Sequence, residues 1–159
     1  MSASGALPIT IRPAETSDAE AACAVLRRSI TELCQQDYLN QPGRLDRWLA
    51  NKTPDQVKRW IEDTSLAIYL ALRNDDLAGV ACLSRDDKVL LNYVDPNHRL
   101  MGVSSALLSH MEQAATSRGA NMIKLESTKT AYRFYEARGY QPDPTNDDKS
   151  HLWMIKKPD

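Results

Sequence analysis

The stretch most able to do chemistry is Val94-Asp95-Pro96-Asn97-His98-Arg99-Leu100-Met101-Gly102-Val103-Ser104-Ser105. An apolar run stops at a proline, and a loop with one glycine opens directly into a helical pattern. Such a junction aims several backbone N–H groups and the positive end of a helix dipole at one spot, where phosphate is the natural ligand. Gly102 permits close backbone approach, and Arg99 adds charge at the rim. Many turns of this kind bind nothing, and the three-glycine spacing of a dinucleotide fold is absent. Taken alone, the junction therefore points to an anion and no further.

The elements around it are legible from periodicity. Ile9 to Pro13 alternates and reads as a first strand, and Thr16-Ser17-Asp18 supplies cap chemistry for a helix running to about Cys34. A polar stretch around Asp37-Tyr38 and Gln41-Pro42-Gly43 follows. Thr53-Pro54 opens a second helix, with Gln56 placed for a capping box. Three apolar runs, Leu66–Leu72, Leu77–Leu83 and Val89–Val94, are separated by the turns Asn74-Asp75-Asp76 and Asp86-Asp87, an antiparallel meander. Val103, Leu107, Met111 and Ala115 mark a long amphipathic helix closed at Arg118-Gly119. A strand at Met122–Leu125, a short helix over Ala131–Arg138 and a last strand at His151–Ile155 complete a mixed α/β chain.

With those elements in place, the junction resembles motif A of the GNAT acetyltransferase family: a V-x-P strand end, then Arg99-Leu100-Met101-Gly102-Val103-Ser104 and a helix. Ser104 stands where the family has Gly or Ala, and Met101 where it often has lysine. A second stretch, Ala131-Tyr132-Arg133-Phe134-Tyr135-Glu136-Ala137-Arg138-Gly139-Tyr140, is similar to the family's A-x-x-F-Y-E-x-x-G-F segment. Thr128 occupies the position where an asparagine is common. The two motifs together make the match specific, and it covers residues 8 to about 141.

The resemblance implies a mixed, mostly antiparallel sheet of six or seven strands flanked by about four helices, the acyl-CoA N-acyltransferase fold. It implies one domain over residues 8–159 behind a flexible 1–7. Asn92, Tyr93 and Val94 would splay from the neighbouring strand and offer backbone to the pantetheine arm of acetyl-CoA. The amides of Arg99, Leu100, Met101, Gly102, Val103 and Ser104 would hold the pyrophosphate, with Thr128 beside the arm. Tyr135 would be the general acid for the departing thiolate, and an ordinary phenol, pKa about 10, stays protonated for that task. The plain alternative is a core tyrosine. Glu32 and Glu126 are candidate amine bases, although a solvated carboxylate is the default for either. Asp37 and Tyr38 lie in the segment where this family builds its acceptor wall, and Asp37 there could attract a cationic acceptor.

The reaction implied is acetyl transfer to a primary amine, on a small molecule or a protein, through a ternary complex. A non-catalytic acyl-CoA sensor, a longer acyl chain and a hydroxyl acceptor are the alternatives. Twenty basic and twenty-one acidic residues, net charge −1, give no electrostatic reason to expect nucleic acid or an anionic membrane. Cys23, Cys34 and Cys82 form no C-x-x-C pair and only three histidines occur, so zinc spacing is missing and no metal is expected. No apolar run is long enough to span a membrane, and no secretory signal precedes the first strand. The expectation is a cytoplasmic protein with reduced thiols, and a homodimer is compatible with it.

Overall fold

Alternating and continuous apolar runs build the sheet. In the computed structural model, which describes residues 8–158, β2 (Leu66–Arg73), β3 (Asp76–Ser84) and β4 (Lys88–Val94) form an antiparallel meander, and β1 (Ile9–Pro13) pairs antiparallel with β2. The expectation for residues 1–7 lies outside the described residues. Asn74 and Asp75 join β2 to β3 with φ of 51° and 67°, the two-residue turn whose twist matches its strands. β5 (Ile123–Ser127), β6 (Gln141–Pro142) and β7 (Leu152–Lys156) complete a seven-stranded sheet in the order β1-β2-β3-β4-β5-β7-β6. Only β4 and β5 run parallel, so the sheet is mixed and mostly antiparallel as expected.

Helices cover both faces. α1 (Ala19–Leu33) and α3 (Pro54–Glu62) pack with Leu70, Val80 and Cys82 on one side. α4 (Val103–Ser117) and α5 (Tyr132–Ala137) pack with Ala81, Leu83 and Leu125 on the other. Because both faces are covered, every residue of β3 from Ala78 to Ser84 is buried, and its sequence reads as a continuous apolar run. The fifth helix, α2 (Arg44–Leu49), lies beyond the four expected. It follows Gly43, not a polar cap residue, and only Leu45, Trp48 and Leu49 carry its periodicity. Thr53 caps α3 by accepting from Gln56 N at 3.1 Å, but the Gln56 side chain accepts from Arg59, so half the expected capping box forms. α1 is entered through a 3-10 turn, Thr16–Asp18, whose Asp18 carboxylate accepts from Glu15 N and pairs with Arg12.

The feature that matters for function is where pairing stops. β4 and β5 are joined only at Lys88↔Lys124 and Val89↔Leu125. Just beyond, the β3–β4 register shifts so that Leu90 is extra: Leu83 faces Val89 and Cys82 faces Leu91. A bulge strengthens local twist and turns its strand away from a neighbour. From Leu90 onward β4 diverges, while β5 continues against β7 as far as Ser127↔Leu152. The parallel pair opens into a wedge.

α4 crosses the sheet close to β3, and Gly79 is what allows it. A Cβ there would lie 2.7 Å from Val103 Cγ1, 2.9 Å from Leu107 Cδ1 and 3.1 Å from Tyr93 O. Gly79→Ala therefore over-packs the contact that seats the first turn of α4, and costs about 1–3 kcal/mol. Denaturant unfolding checks this; an unchanged midpoint means that α4 moves off freely.

Candidate active site

The loop between β4 and α4 is built to leave its amides free. Asp95, buried at the end of β4, accepts from Asn97 N at 2.9 Å and pairs with Arg28 of α1, which pins the Pro96–His98 turn. Leu100 and Gly102 then take left-handed φ values of 62° and 83°, bracketing Met101. None of the backbone N–H groups from Arg99 to Gly102 donates to another described residue, and the first amides of α4 have no partner within the helix. A Cβ on Gly102 would meet nothing within 4 Å, so the space above the loop is open. These groups border a cleft of about 460 Å³ that Asn92, Tyr93, Val94 and Ser104 also line. Met101, half exposed, does not line it.

Arg138 was legible in the sequence only as a helix end, yet it lines this cleft. Its guanidinium stacks 3.8 Å over the Phe134 ring and donates through Nε to Ser105 Oγ at 3.0 Å. No carboxylate neutralises it among the described residues, so a fixed cation stands beside the first turn of α4. A cation three residues after Tyr135, on the same helical end, was the available signal.

Tyr135 sits where the wedge closes. It lines a gap of about 50 Å³ with Leu90, Leu91, Asn92, Tyr93, Glu126 and Thr128. Tyr135 is 6% exposed and rests edge-on against Phe134 and Tyr140. Burial pushes its phenol up to about 12, and the neighbouring Asn92 amide pulls the other way. Asn92 Nδ2 donates to Ser104 O at 3.4 Å, while its buried Oδ1 has no partner among the described residues. Thr128 Oγ1 accepts from Ala131 N at 3.1 Å and so holds the entry to α5.

Beyond the gap lies a second cleft of about 670 Å³, which shares Tyr93 and Thr128 with the first. Of the acceptor-side candidates, Glu126 and Asp37 line it, and Glu32 and Tyr38 do not. Glu126 borders both this cleft and the Tyr135 gap, and His151 Nδ1 lies 2.7 Å from its carboxylate. Asp37 is buried and committed: Lys129 N, Thr130 N and Thr130 Oγ1 all donate to it, at 2.6, 3.2 and 2.6 Å. Tyr38 donates to Thr31 O at 2.6 Å and fastens its turn to α1. Glu32 is exposed on α1. Trp48 and Trp153 wall the second cleft, and Trp153 lay outside the acceptor segment read from the sequence.

His98, His110 and the three cysteines do not line the Tyr135 gap. His110 packs edge-on against Tyr69, and His98 lies 3.3 Å from Arg73 Nη1. Burial raises all three thiols, Cys34 and Cys82 to about 12, so none offers a thiolate at neutral pH. Among the described residues no three His, Cys, Asp or Glu side chains gather as metal ligands, and no helix is long and apolar enough to cross a membrane.

Residues 31–156 match the family described as the acetyltransferase (GNAT) domain. The chain is 26% identical over 135 residues to the N-acetyltransferase YafP of Escherichia coli K12, covering 84% of this chain and 81% of that protein. A GCN5-related N-acetyltransferase from Rhodopseudomonas palustris superposes with a TM-score of 0.82 at 22% identity, over 93% of this chain and 94% of that one. PaiA N-acetyltransferase from Thermoplasma acidophilum, solved in complex with coenzyme A, superposes at 0.80 and 20% identity, over 95% and 99%.

The Glu126–His151 contact carries a pH signature. Glu126 raises the His151 pKa above the ordinary 6.5, chiefly by accepting a hydrogen bond from the imidazolium. A raised folded pKa means that the charged pair is intact below about 6.5 and is lost as pH rises through the higher folded value. Glu126→Gln should bring the His151 midpoint down toward the ordinary histidine value in an NMR titration. An unmoved midpoint means that the two side chains do not meet in solution.

Proposed function

The chain belongs to the GNAT acetyltransferase family, and from that premise we propose that it transfers acetyl from acetyl-CoA to a primary amine, with both substrates bound at once. The observation that carries this reading is the wedge: two clefts that share Tyr93 and Thr128 meet at one gap beside Tyr135. The first cleft suits the donor. Its unpartnered loop amides and the fixed Arg138 provide for a pyrophosphate, and Asn92, Tyr93 and Val94, paired with β3, present a free edge on the β5 side for a pantetheine arm. The coenzyme A complex of the Thermoplasma acidophilum relative supports the same ligand here. Three protonated thiols and the absence of a spanning helix among the described residues fit work in the cytoplasm, in a single domain over 8–159.

In this reading the acceptor enters through the second cleft and its nitrogen attacks the thioester carbonyl. A backbone N–H of β4 near Val94 stabilises the oxyanion, a donor of the kind worth roughly 3–4 kcal/mol. The amine sheds its proton toward Glu126 through water. As the carbon–sulfur bond breaks, the electron pair leaves on sulfur and the Tyr135 hydroxyl donates to it. Full transfer from a phenol at about 12 to a thiolate whose acid has pKa about 8.5 is uphill by about 5 kcal/mol. Tyr135 therefore acts mainly through a strengthening hydrogen bond, and the thiolate collects its proton from solvent after release.

A bulky side chain at Gly102 tests the donor cleft. Gly102→Val fills the open space above the loop and places a β-branched residue at φ 83°, which costs the fold about 1–2 kcal/mol. Acetyl-CoA affinity should fall at least about tenfold, about 1.4 kcal/mol. Calorimetric titration of the folded variant reads this, and an unchanged affinity removes the loop from the donor site.

Tyr135→Phe tests the chemistry. It deletes one oxygen and keeps the ring against Phe134 and Tyr140, so melting and acetyl-CoA binding should persist. In a thiol-release assay over an amine panel, kcat should drop by about 10²-fold, the low end for a positioned acid. Full kcat in the stable variant would leave Tyr135 a core residue. Cofactor binding with no thiol release from any amine would make the wild-type protein a sensor.

A further inference from the structure

The second cleft carries an uncompensated charge. Four cations line it, Arg44, Lys52, Lys129 and Lys149, against two carboxylates, Asp37 and Glu126. Asp37 is 3% exposed and its two oxygens already accept from three donors in the 129–130 segment. Glu126 is engaged by His151. Among the described residues none of the four cations lies within ion-pair distance of a carboxylate.

Lys52 is the most telling. It is 7% exposed, and its ammonium donates only to neutral oxygens, Trp48 O at 3.2 Å and Asn51 Oδ1 at 2.7 Å. A buried cation without a counter-ion is unfavourable unless something anionic joins it. Burial lowers its pKa, in keeping with that deficit. Arg44 lies over Trp48 at 5.9 Å and spends one side-chain bond on Gln41. In a chain of net charge −1, four unpaired cations around one cavity are a local excess and not the background.

The amine end is set by Glu126. Glu126 borders the gap where Tyr135 lies, and Arg44 is near enough to His151, the partner of Glu126, to oppose its protonation. Arg44, Lys52, Lys149 and Glu126 all line one cleft of about 670 Å³, which a single small molecule can occupy.

We propose that the acceptor is a small primary amine that also carries a carboxylate or phosphate, its anionic group seated among Arg44, Lys52 and Lys149 and its nitrogen turned toward Glu126. This rests on the transferase reading of the two clefts. It excludes cationic polyamines as preferred acceptors, because the one carboxylate able to receive a second ammonium is the one at the reaction gap.

The test pairs molecules that differ only in the anion. Thiol release from acetyl-CoA is measured with amino acids, their carboxamides, the matching aminophosphonates, and spermidine. The anionic amines should exceed the carboxamides at least tenfold in kcat/KM, with carboxylates and phosphonates compared to identify the group. Arg44→Gln with Lys149→Gln should cut that preference about tenfold while acetyl-CoA affinity stays put. Carboxamides or spermidine reacting as well as the acids, or a preference that survives both substitutions, overturns the proposal. A second measurement does not need turnover. Trp48 and Trp153 line the cleft, so quenching of tryptophan fluorescence in CoA-loaded protein reports binding of N-acetyl amino acids against N-acetyl amino-acid amides. Tighter binding of the acids without any thiol release would overturn the transferase reading and uphold the anion site. Equal binding would overturn the anion site alone.

Discussion

The site exists because a parallel strand pair stops pairing after two residues. A β4–β5 ladder that continued past Val89 and Leu125 would consume the backbone groups of Leu90 to Val94 and close the gap beside Tyr135. Buried backbone N–H and C=O groups are seldom left unpaired, so an open wedge in the middle of a sheet needs something to hold it and something to fill it. The bulge at Leu90 starts the divergence by adding one residue to β4 against β3. Helices on both faces keep the diverging strands from collapsing together.

Two buried carboxylates keep the mouth of the wedge in shape. Asp95 ties the end of β4 to its own loop and, through Arg28, to α1. Asp37, in the turn just past the C-terminal end of α1, takes three donors from the segment that links β5 to α5. One helix therefore braces both lips, and each carboxylate spends its capacity on backbone geometry. Gly79 plays the complementary part by letting α4 lie close on β3, which brings the first turn of α4 up to the edge of β4. Rigid support of this kind sets unpaired amides in place before any ligand arrives, so little is lost in ordering them.

The two clefts meet at one gap but differ in character. The first cleft is bordered by unpaired amides with a stacked guanidinium. The second cleft has aromatic walls and cations that lack ion-pair partners among the described residues. Tyr135 and Glu126 stand between them, one enclosed and held protonated by burial, the other at the rim beside an imidazole. Low dielectric around the phenol keeps it protonated, whereas the carboxylate lies exposed to solvent.

How much of this the chain announces depends on the range of the interaction. Element order, the meander, the β4–α4 junction and the Phe134-Tyr135 segment are all carried by residues a few positions apart, where periodicity, caps and turn chemistry operate, so they can be read along the sequence. Even α2, which the sequence left unmarked, had its signal in Leu45, Trp48 and Leu49. The functions of Asp37 and Tyr38 could not be read in that way. They look alike as a charged and aromatic pair in a loop, yet Asp37 binds amides 92 and 93 positions away while Tyr38 bonds seven residues back. Arg138 and Lys52 are likewise ordinary surface letters until folding removes their water and leaves one beside α4 and the other buried without a counter-charge. Sequence alone determined the fold and the strand–loop–helix junction with its free amides, because local backbone preferences dictate both. Tertiary structure alone decided which carboxylates are free, which cations are unpaired and how far β4 parts from β5, because those are properties of desolvation and of partners distant in the chain.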